Sequence, residues 1–381
     1  MSQPHGASST ERSPGLADPE DERSNCGVGV VMDLDGGSGH SVVADGLDLL
    51  KNLEHRGTTG AEKNTGDGAG IMLQTPHAFF ADVLETSLPD TYAVGSLFLP
   101  QDETARTELV DLAESTLETY DLEVLEWRDV PTENEDLGAT AVDSEPDVRQ
   151  LVVAPADGDD LSEDDFDRRL YVARRALENA VEGADIDNKE RFYVVSLDSK
   201  TLVYKGLLKG EQVPSYYPDL TDERVESNFV MVHERFSTNT LGAWHLAHPY
   251  RNIIHNGEFN TIQGNINWMR ARETDIESEV LSDLEAVKPI IDDPEQSDTA
   301  SVDNALELLM QDGRDLEHAL RMLVPEAWRG NDAMDPDRKD WYDFHASLVE
   351  PWDGPALVAA TTANASVLFS TATACARVGT T

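Results

Sequence analysis

At 381 residues, 39% of them hydrophobic, the chain carries enough apolar material for a large core, which excludes wholesale disorder. It has 74 acidic against 29 basic residues, a net charge of −45, and only 8 of the basic residues are Lys. That balance excludes a surface that neutralises nucleic-acid phosphates and fits a protein bathed in concentrated salt, where screening shortens the range of self-repulsion.

Two cysteines give no disulfide framework and point to a reducing compartment, so a cytoplasmic location is expected. No apolar run approaches the ~18 residues of a membrane span, so no membrane is expected as a partner. The N-terminus lacks the apolar segment of a secretory signal.

Residues 1–25, rich in Ser, Pro and charge, read as a disordered leader. A strand is predicted over 26–32, then a Gly-rich turn, and a helix over 42–53 from the spacing of Val43, Leu47, Leu50 and Leu53. A Gly/Thr/Asn loop over 58–70 leads to a short strand at 71–74 and a helix opened by Thr75-Pro76. Strands follow over 92–99, 122–130 and 150–154, with helices over 102–120 and from 165 to 181. Residues 191–197 and 201–204 read as a hairpin around Asp198-Ser199-Lys200. Strands at 229–233 and from 253 each run into polar residues, and helices are predicted over 266–273, 302–310, 318–323 and 338–348. There is no regular βαβ rhythm, so the pattern reads as layered α+β elements, not a doubly wound parallel sheet.

Four polar clusters stand out against this framework. Cys26 heads the apolar run Cys26-Gly27-Val28-Gly29-Val30 and is either a buried strand residue or a nucleophile. If the chain is cut between Asn25 and Cys26, Cys26 has both a thiol and an α-amine that can serve as its base. That amine titrates near pH 8 in model compounds, which suits proton shuttling. Asn256 and Gly257 can offer a side-chain and a backbone N–H to an oxyanion, although Asn-Gly is also an ordinary turn. Arg235 can grip a carboxylate in a bidentate manner, or form a surface ion pair. Asp298 can hold an ammonium, or cap a helix. A substrate with a carboxylate, an ammonium and a hydrolysable amide is glutamine. The Thr65-Gly66-Asp67-Gly68-Ala69-Gly70 loop lacks the Lys-Ser/Thr of a phosphate loop. His40, His55, His245, His248 and His255 have no metal-ligand spacing, so no metal is expected.

The segments CGVGV, NLEHRGTTGA, TGDGAGI, VYKGLL, YPDL, ERFSTNT, HNGEFNTIQGNINWMRAR, SDTASVDN, LVPEAW and EPWDGPA occur in this order over residues 26–360. Together they resemble the glutaminase domain of glutamate synthase large chains, a class II (N-terminal nucleophile) glutamine amidotransferase. The resemblance implies a four-layer αββα sandwich. It also implies Cys26 as nucleophile, Asn256 and Gly257 as oxyanion hole, and Arg235 and Asp298 as holders of the glutamine α-carboxylate and α-amine. Thr238 matches a position that helps bind the carboxylate, and Arg56 one beside the nucleophile. Residues 1–25 would then be a propeptide.

The family continues into a synthase region that binds FMN and an iron–sulfur cluster, draws on an electron donor, and joins ammonia to 2-oxoglutarate. No cofactor is expected in the present chain. From Thr361 the sequence departs from the family pattern. A one-base shift with GC-rich codons lets the same bases read DDGERIGPVLDRNGLRP, the motif expected there, so residues 361–381 are read as a frameshifted tail. Three outcomes remain open on the sequence: a working glutaminase part of a glutamate synthase, a glutaminase subunit of a split amidotransferase, and an inactive fragment.

Overall fold

The computed structural model describes residues 27–53, 62–156, 161–235, 242–291, 296–362 and 366–370. Its strands are β1 (Val28–Met32), β2 (Ala69–Gln74), β3 (Ala93–Leu99), β4 (Leu122–Asp129), β5 (Asp147–Pro155), β6 (Tyr193–Asp198), β7 (Thr201–Gly206), β8 (Phe229–Glu234), β9 (Ile253–Gly257), β10 (Ala356–Thr361) and β11 (Ser366–Ser370). The helices are α1 (His40–Asn52), α2 (His77–Val83), α3 (Glu103–Thr119), α4 (Ala139–Asp143), α5 (Glu163–Gly183), α6 (Val213–Tyr216), α7 (Ile262–Arg272), α8 (Leu284–Val287), α9 (Asp298–Gln311), α10 (Leu316–Leu323) and α11 (Pro336–His345).

Among the described residues the strands form three sheets, ordered β1-β8-β2-β7, β4-β5-β3-β6 and β11-β10-β9. Every strand pair in them is antiparallel. The result is a mixed α/β fold built on antiparallel sheets.

Strand periodicity explains how the sheets share their cores, because alternate side chains point to opposite faces. In the second sheet Val94, Phe98, Val148 and Val152 join a core with Ile71, Leu73, Val203 and Val230 of the first sheet and with Val43 and Leu50 of α1. The alternate residues Ala93, Leu97, Leu151 and Val153 turn away to meet Leu109, Ala113 and Leu117 of α3, and Phe166, Leu170 and Leu177 of α5. Those α3 positions recur every four residues, and Asp102 caps the helix by accepting from the Ala105 N–H at 2.9 Å. A third core joins Ile253 of β9, Ala356, Val358 and Ala360 of β10, and Val302, Ala305 and Leu306 of α9.

Most predicted elements are present, with ends shifted by a few residues; the strand read at 150–154 is four residues longer, at Asp147–Pro155. The hairpin over 191–204 is a correction. β6 pairs with β3 and β7 pairs with β2, so the turn at Asp198-Ser199-Lys200 is a corner between two sheets. Asp198 holds this corner by accepting from the N–H groups of Lys200 and Thr201 at 2.7 and 2.8 Å. A hairpin and a corner share the same turn chemistry, and only the long-range partners separate them. Strand pairing also continues past the boundary expected at residue 360, since the backbone of β11 adds to β10.

A buried ion network fixes α5 and α9 beside the start of β9. Arg174 bonds Glu178 at 2.7 Å and Glu307 at 2.5 Å, and Arg251 bonds Glu178 at 3.0 Å. Asp303 of α9 accepts from the backbone N–H groups of Arg251 and Asn252 at 3.1 and 2.9 Å. Burial pushes the Glu178 carboxyl up, but Arg174, Arg175 and Arg251 outweigh that effect and hold it well below the usual carboxylate range.

Candidate functional site

Three element ends carry the predicted polar residues. β8 delivers Arg235, β9 ends in Asn256-Gly257, and α9 begins at Asp298. Cys26, Arg56 and Thr238 lie outside the described residues. The chain neighbour of Cys26, Gly27, is described: its carbonyl accepts from the Glu234 N–H at 2.7 Å, where β1 meets the end of β8. The Arg235 N–H donates to the Gly68 carbonyl at 2.8 Å, so the Gly-rich loop serves as a backbone support for this strand end.

The Asn256–Gly257 turn owes its shape to close backbone approach. Gly257 has φ of +121°, in the region that favours glycine, and a Cβ placed there would lie 1.8 Å from the Pro355 carbonyl oxygen. Across the same contact, a Cβ on Gly354 would lie 1.8 Å from the Glu258 carbonyl oxygen. The Glu258 N–H closes the clasp by donating to Pro355 at 3.3 Å. Gly257 is thereby exposed and Asn256 partly buried at the mouth of β9.

Asp298 is not the helix cap. Ser297 takes that role, accepting from the Ala300 N–H at 3.1 Å, and Asp298 becomes the first helical residue. Its carboxylate oxygens accept from the Thr299 N–H at 2.7 Å and the Phe259 N–H at 2.9 Å. The second bond ties α9 to the segment just beyond β9, while Asp303 ties it to the residues just before β9. Asp298 therefore remains partly exposed, beside the Asn256–Glu258 turn. Burial and Asp298 both raise the Glu258 pKa and Arg235 lowers it, so Glu258 lies within electrostatic reach of both groups.

Sequence reasoning overlooked His233 and gave His255 no role beyond the absence of metal spacing. The His233 Nε2 donates to the His255 carbonyl at 2.9 Å, joining β8 to β9. His255 Nδ1 lies 2.8 Å from the Thr299 hydroxyl, joining β9 to α9. His233 stacks on His248 with ring centres 4.1 Å apart, and His255 stacks on Phe259 at 4.5 Å. Burial pushes the His233 pKa down to about 3 and lowers those of His248 and His255 as well, so all three rings are neutral at pH 7. A histidine at the end of an apolar strand was the available signal, and no metal spacing drew attention to it. Among the described residues no group of three or more His, Cys, Asp or Glu is placed to hold a metal. No helix among them is long and apolar enough to cross a membrane.

The Asp298 carboxylate thus sits against the segment that follows the Asn256–Gly257 turn, and Glu258 of that segment feels both Asp298 and Arg235. Residues 26–368 match the family described as glutamine amidotransferases class-II. The NADPH glutamate synthase large chain of Bacillus subtilis is 43% identical over 355 residues, spanning 91% of this chain and 23% of that protein. The chloroplastic ferredoxin-dependent glutamate synthase 2 of Arabidopsis thaliana is 41% identical over 351 residues, spanning 90% and 21%. The NADH glutamate synthase of Saccharomyces cerevisiae is 41% identical over 359 residues, spanning 90% and 16%. The chain thus spans about a fifth of the length of these relatives.

Proposed function

The chain belongs to the class-II glutamine amidotransferases, and from that premise we propose that it hydrolyses glutamine to glutamate and ammonia on behalf of a glutamate synthase. The observation that supports this reading is the bonding of the β9 end to both β8 and α9, His233 to the His255 carbonyl at 2.9 Å and the Phe259 N–H to Asp298 at 2.9 Å, which draws together the element ends that carry Arg235, Asn256-Gly257 and Asp298. Those groups match the carboxylate, the developing oxyanion and the ammonium of glutamine in turn.

In the proposed reaction the Cys26 sulfur attacks the side-chain amide carbon, its proton passing through the Cys26 α-amine to the departing ammonia. The tetrahedral oxyanion rests on the Asn256 side chain and the Gly257 N–H. Water then opens the thioester to give glutamate and the free thiol. Arg235, with Thr238, holds the α-carboxylate; Asp298 holds the α-amine; Arg56 takes the role at the nucleophile that the family resemblance implies. The start of the family match at residue 26 supports residues 1–25 as a propeptide. A four-layer αββα arrangement is supported by α1 on one sheet, α3 and α5 on the other, and a core shared between the sheets.

Flavin and iron–sulfur chemistry, the electron donor and the use of 2-oxoglutarate fall to a synthase part beyond this chain. An iron–sulfur cluster takes about four Cys thiolates, and this chain has two cysteines. The net charge of −45 supports a halophilic cytoplasm as the setting.

The test is ammonia release from glutamine by protein purified in molar KCl. Release that disappears in Cys26→Ala is the expected result. Folded protein that starts at Cys26 and releases none refutes the proposal.

A further inference from the structure

The predicted binding groups sit on three different elements, so something must set their mutual spacing. A line of hydrogen bonds runs beside Arg235 and Asn256, from β8 through β9 to α9, and ends on Asp298. The His233 ring, one residue before Glu234 in β8, donates through Nε2 to the His255 carbonyl. The backbone that receives this bond is the residue immediately before Asn256. From the same residue, the His255 ring reaches Thr299 Oγ1 at 2.8 Å, and the Thr299 hydroxyl donates to Asp298 Oδ1 at 3.3 Å. Because the Thr299 proton is committed to Asp298, the His255 Nδ1 is the donor to Thr299 Oγ1. His255 Nε2 then carries no proton, and it makes no hydrogen bond among the described residues.

We infer that His233, His255 and Thr299 form a positioning relay that sets Arg235, the Asn256–Gly257 turn and Asp298 at the separation one glutamine requires. This inference rests on the glutaminase reading and deepens it. His233 controls the offset of β8 against β9, hence the distance from the carboxylate grip to the oxyanion turn. The Thr299 hydroxyl adds a third bond, at 3.3 Å, to the Thr299 and Phe259 N–H groups at 2.7 and 2.9 Å that orient the Asp298 carboxylate, and so trims the direction in which the α-amine is held.

The neutral state of the rings is part of the device. His255 Nδ1 is 3.9 Å from Asp298 Oδ2. A charged His255 would pair with Asp298 and compete with the substrate ammonium for it. Burial disfavours that charge on His255, and His233 and His248 are lowered by the same cause. The charged groups acting on this cluster are Arg235 and Lys205, which disfavour a protonated ring, and Asp298, which favours one on His255. Lys205 is itself buried and its pKa lies well below the usual lysine range. The relay residues touch backbone and Asp298, not the reacting atoms, so none of them is a catalytic residue.

Thr299→Val keeps the shape and removes the hydroxyl, while Thr299→Ser keeps the hydroxyl. The relay predicts that Thr299→Val raises the KM for glutamine roughly tenfold, the worth of one hydrogen bond to a charged group, with kcat within about twofold. Thr299→Ser should remain within about twofold of wild type in both. His233→Phe should lower kcat/KM, and His233→Gln, which can still donate to the His255 carbonyl, should recover most of it. An unchanged KM in Thr299→Val, or equal losses in the Val and Ser variants, overturns the relay.

A second readout does not depend on turnover. In 15N spectra of the imidazoles, His255 should be the Nδ1–H tautomer in wild type and lose that preference in Thr299→Val. Wild-type protein that releases no ammonia defeats the glutaminase reading, and the imidazole spectrum still decides the relay. The Nε2–H tautomer for His255 in wild type overturns it.

Discussion

Gly257→Ala tests the proposed oxyanion turn most directly. An alanine at φ of +121° carries backbone strain of about 1–3 kcal/mol, because an L side chain crowds its own backbone there. Its Cβ would also sit 1.8 Å from the Pro355 carbonyl oxygen. An ordinary C···O contact is about 3.3 Å, so the turn and the 354–355 segment must part by about 1.5 Å. Overpacking of this kind adds about 1–3 kcal/mol of destabilisation. A shift of that size would carry the Gly257 N–H away from the oxygen it is proposed to hold, and loss of one such donor costs about 10²–10³ in kcat.

Ammonia release from glutamine and thermal unfolding in high salt measure the two effects separately. Gly354→Ala is the companion variant, since its Cβ would press the Glu258 carbonyl from the other side of the clasp without entering the site. It should lose about 10-fold to 10²-fold in kcat, less than Gly257→Ala, as the same turn is displaced from further away. Gly264→Ala in α7 is the control: nothing lies within 4 Å of its Cβ. There, activity should be unchanged and stability should rise by about 0.5–1 kcal/mol, from helix propensity. A Gly257→Ala protein that folds and keeps kcat within about threefold of wild type refutes the assignment of this turn to the oxyanion.

Three further outcomes are expected. Because the His233 pKa is pushed down from 6.5 to about 3, the unfolded chain binds its proton between those values and the folded chain does not. Stability is therefore full above about pH 6.5 and falls as pH drops, by about 2 kcal/mol at pH 5 from this ring alone; denaturant titrations at pH 7 and 5 should show the fall, and His233→Gln should shrink it. In the ion network, Arg174→Met strands the buried Glu307 and should cost about 3–5 kcal/mol. Adding Glu307→Gln should recover part of that loss, and strictly additive effects would show that the pair is not coupled. Active protein should begin at Cys26 by intact mass, because an amide nitrogen cannot act as the base; full activity in chains still starting at Met1 would contradict this.

Much of the proposed site was readable before any fold was known, because its chemistry is written in residue types. A carboxylate grip, an oxyanion turn and an ammonium holder demand Arg, Asn-Gly and Asp, and each sits beside an apolar run that marks an element end. Periodicity likewise located most helices and strands. The corner at Asp198-Ser199-Lys200 escaped, since Asp198 bonds the next residues in the same way whether the strands pair with each other or leave for different sheets. Asp298 shows the same limit: on sequence it competes with Ser297 for the cap, and only the Ala300 N–H donating to Ser297 frees Asp298 for Phe259.

The sequence by itself determined the family, the candidate residues and the acidic character, because these depend on local order and composition. The tertiary structure decided which backbone groups come within bonding distance across long separations. It showed the His233 ring on the His255 carbonyl, the Thr299 hydroxyl between His255 and Asp298, and the clasp of Gly257 against Gly354 and Pro355. Those contacts have no local signature, since a buried polar ring or a close-packed glycine is specified by its distant partner and not by its neighbours in the chain.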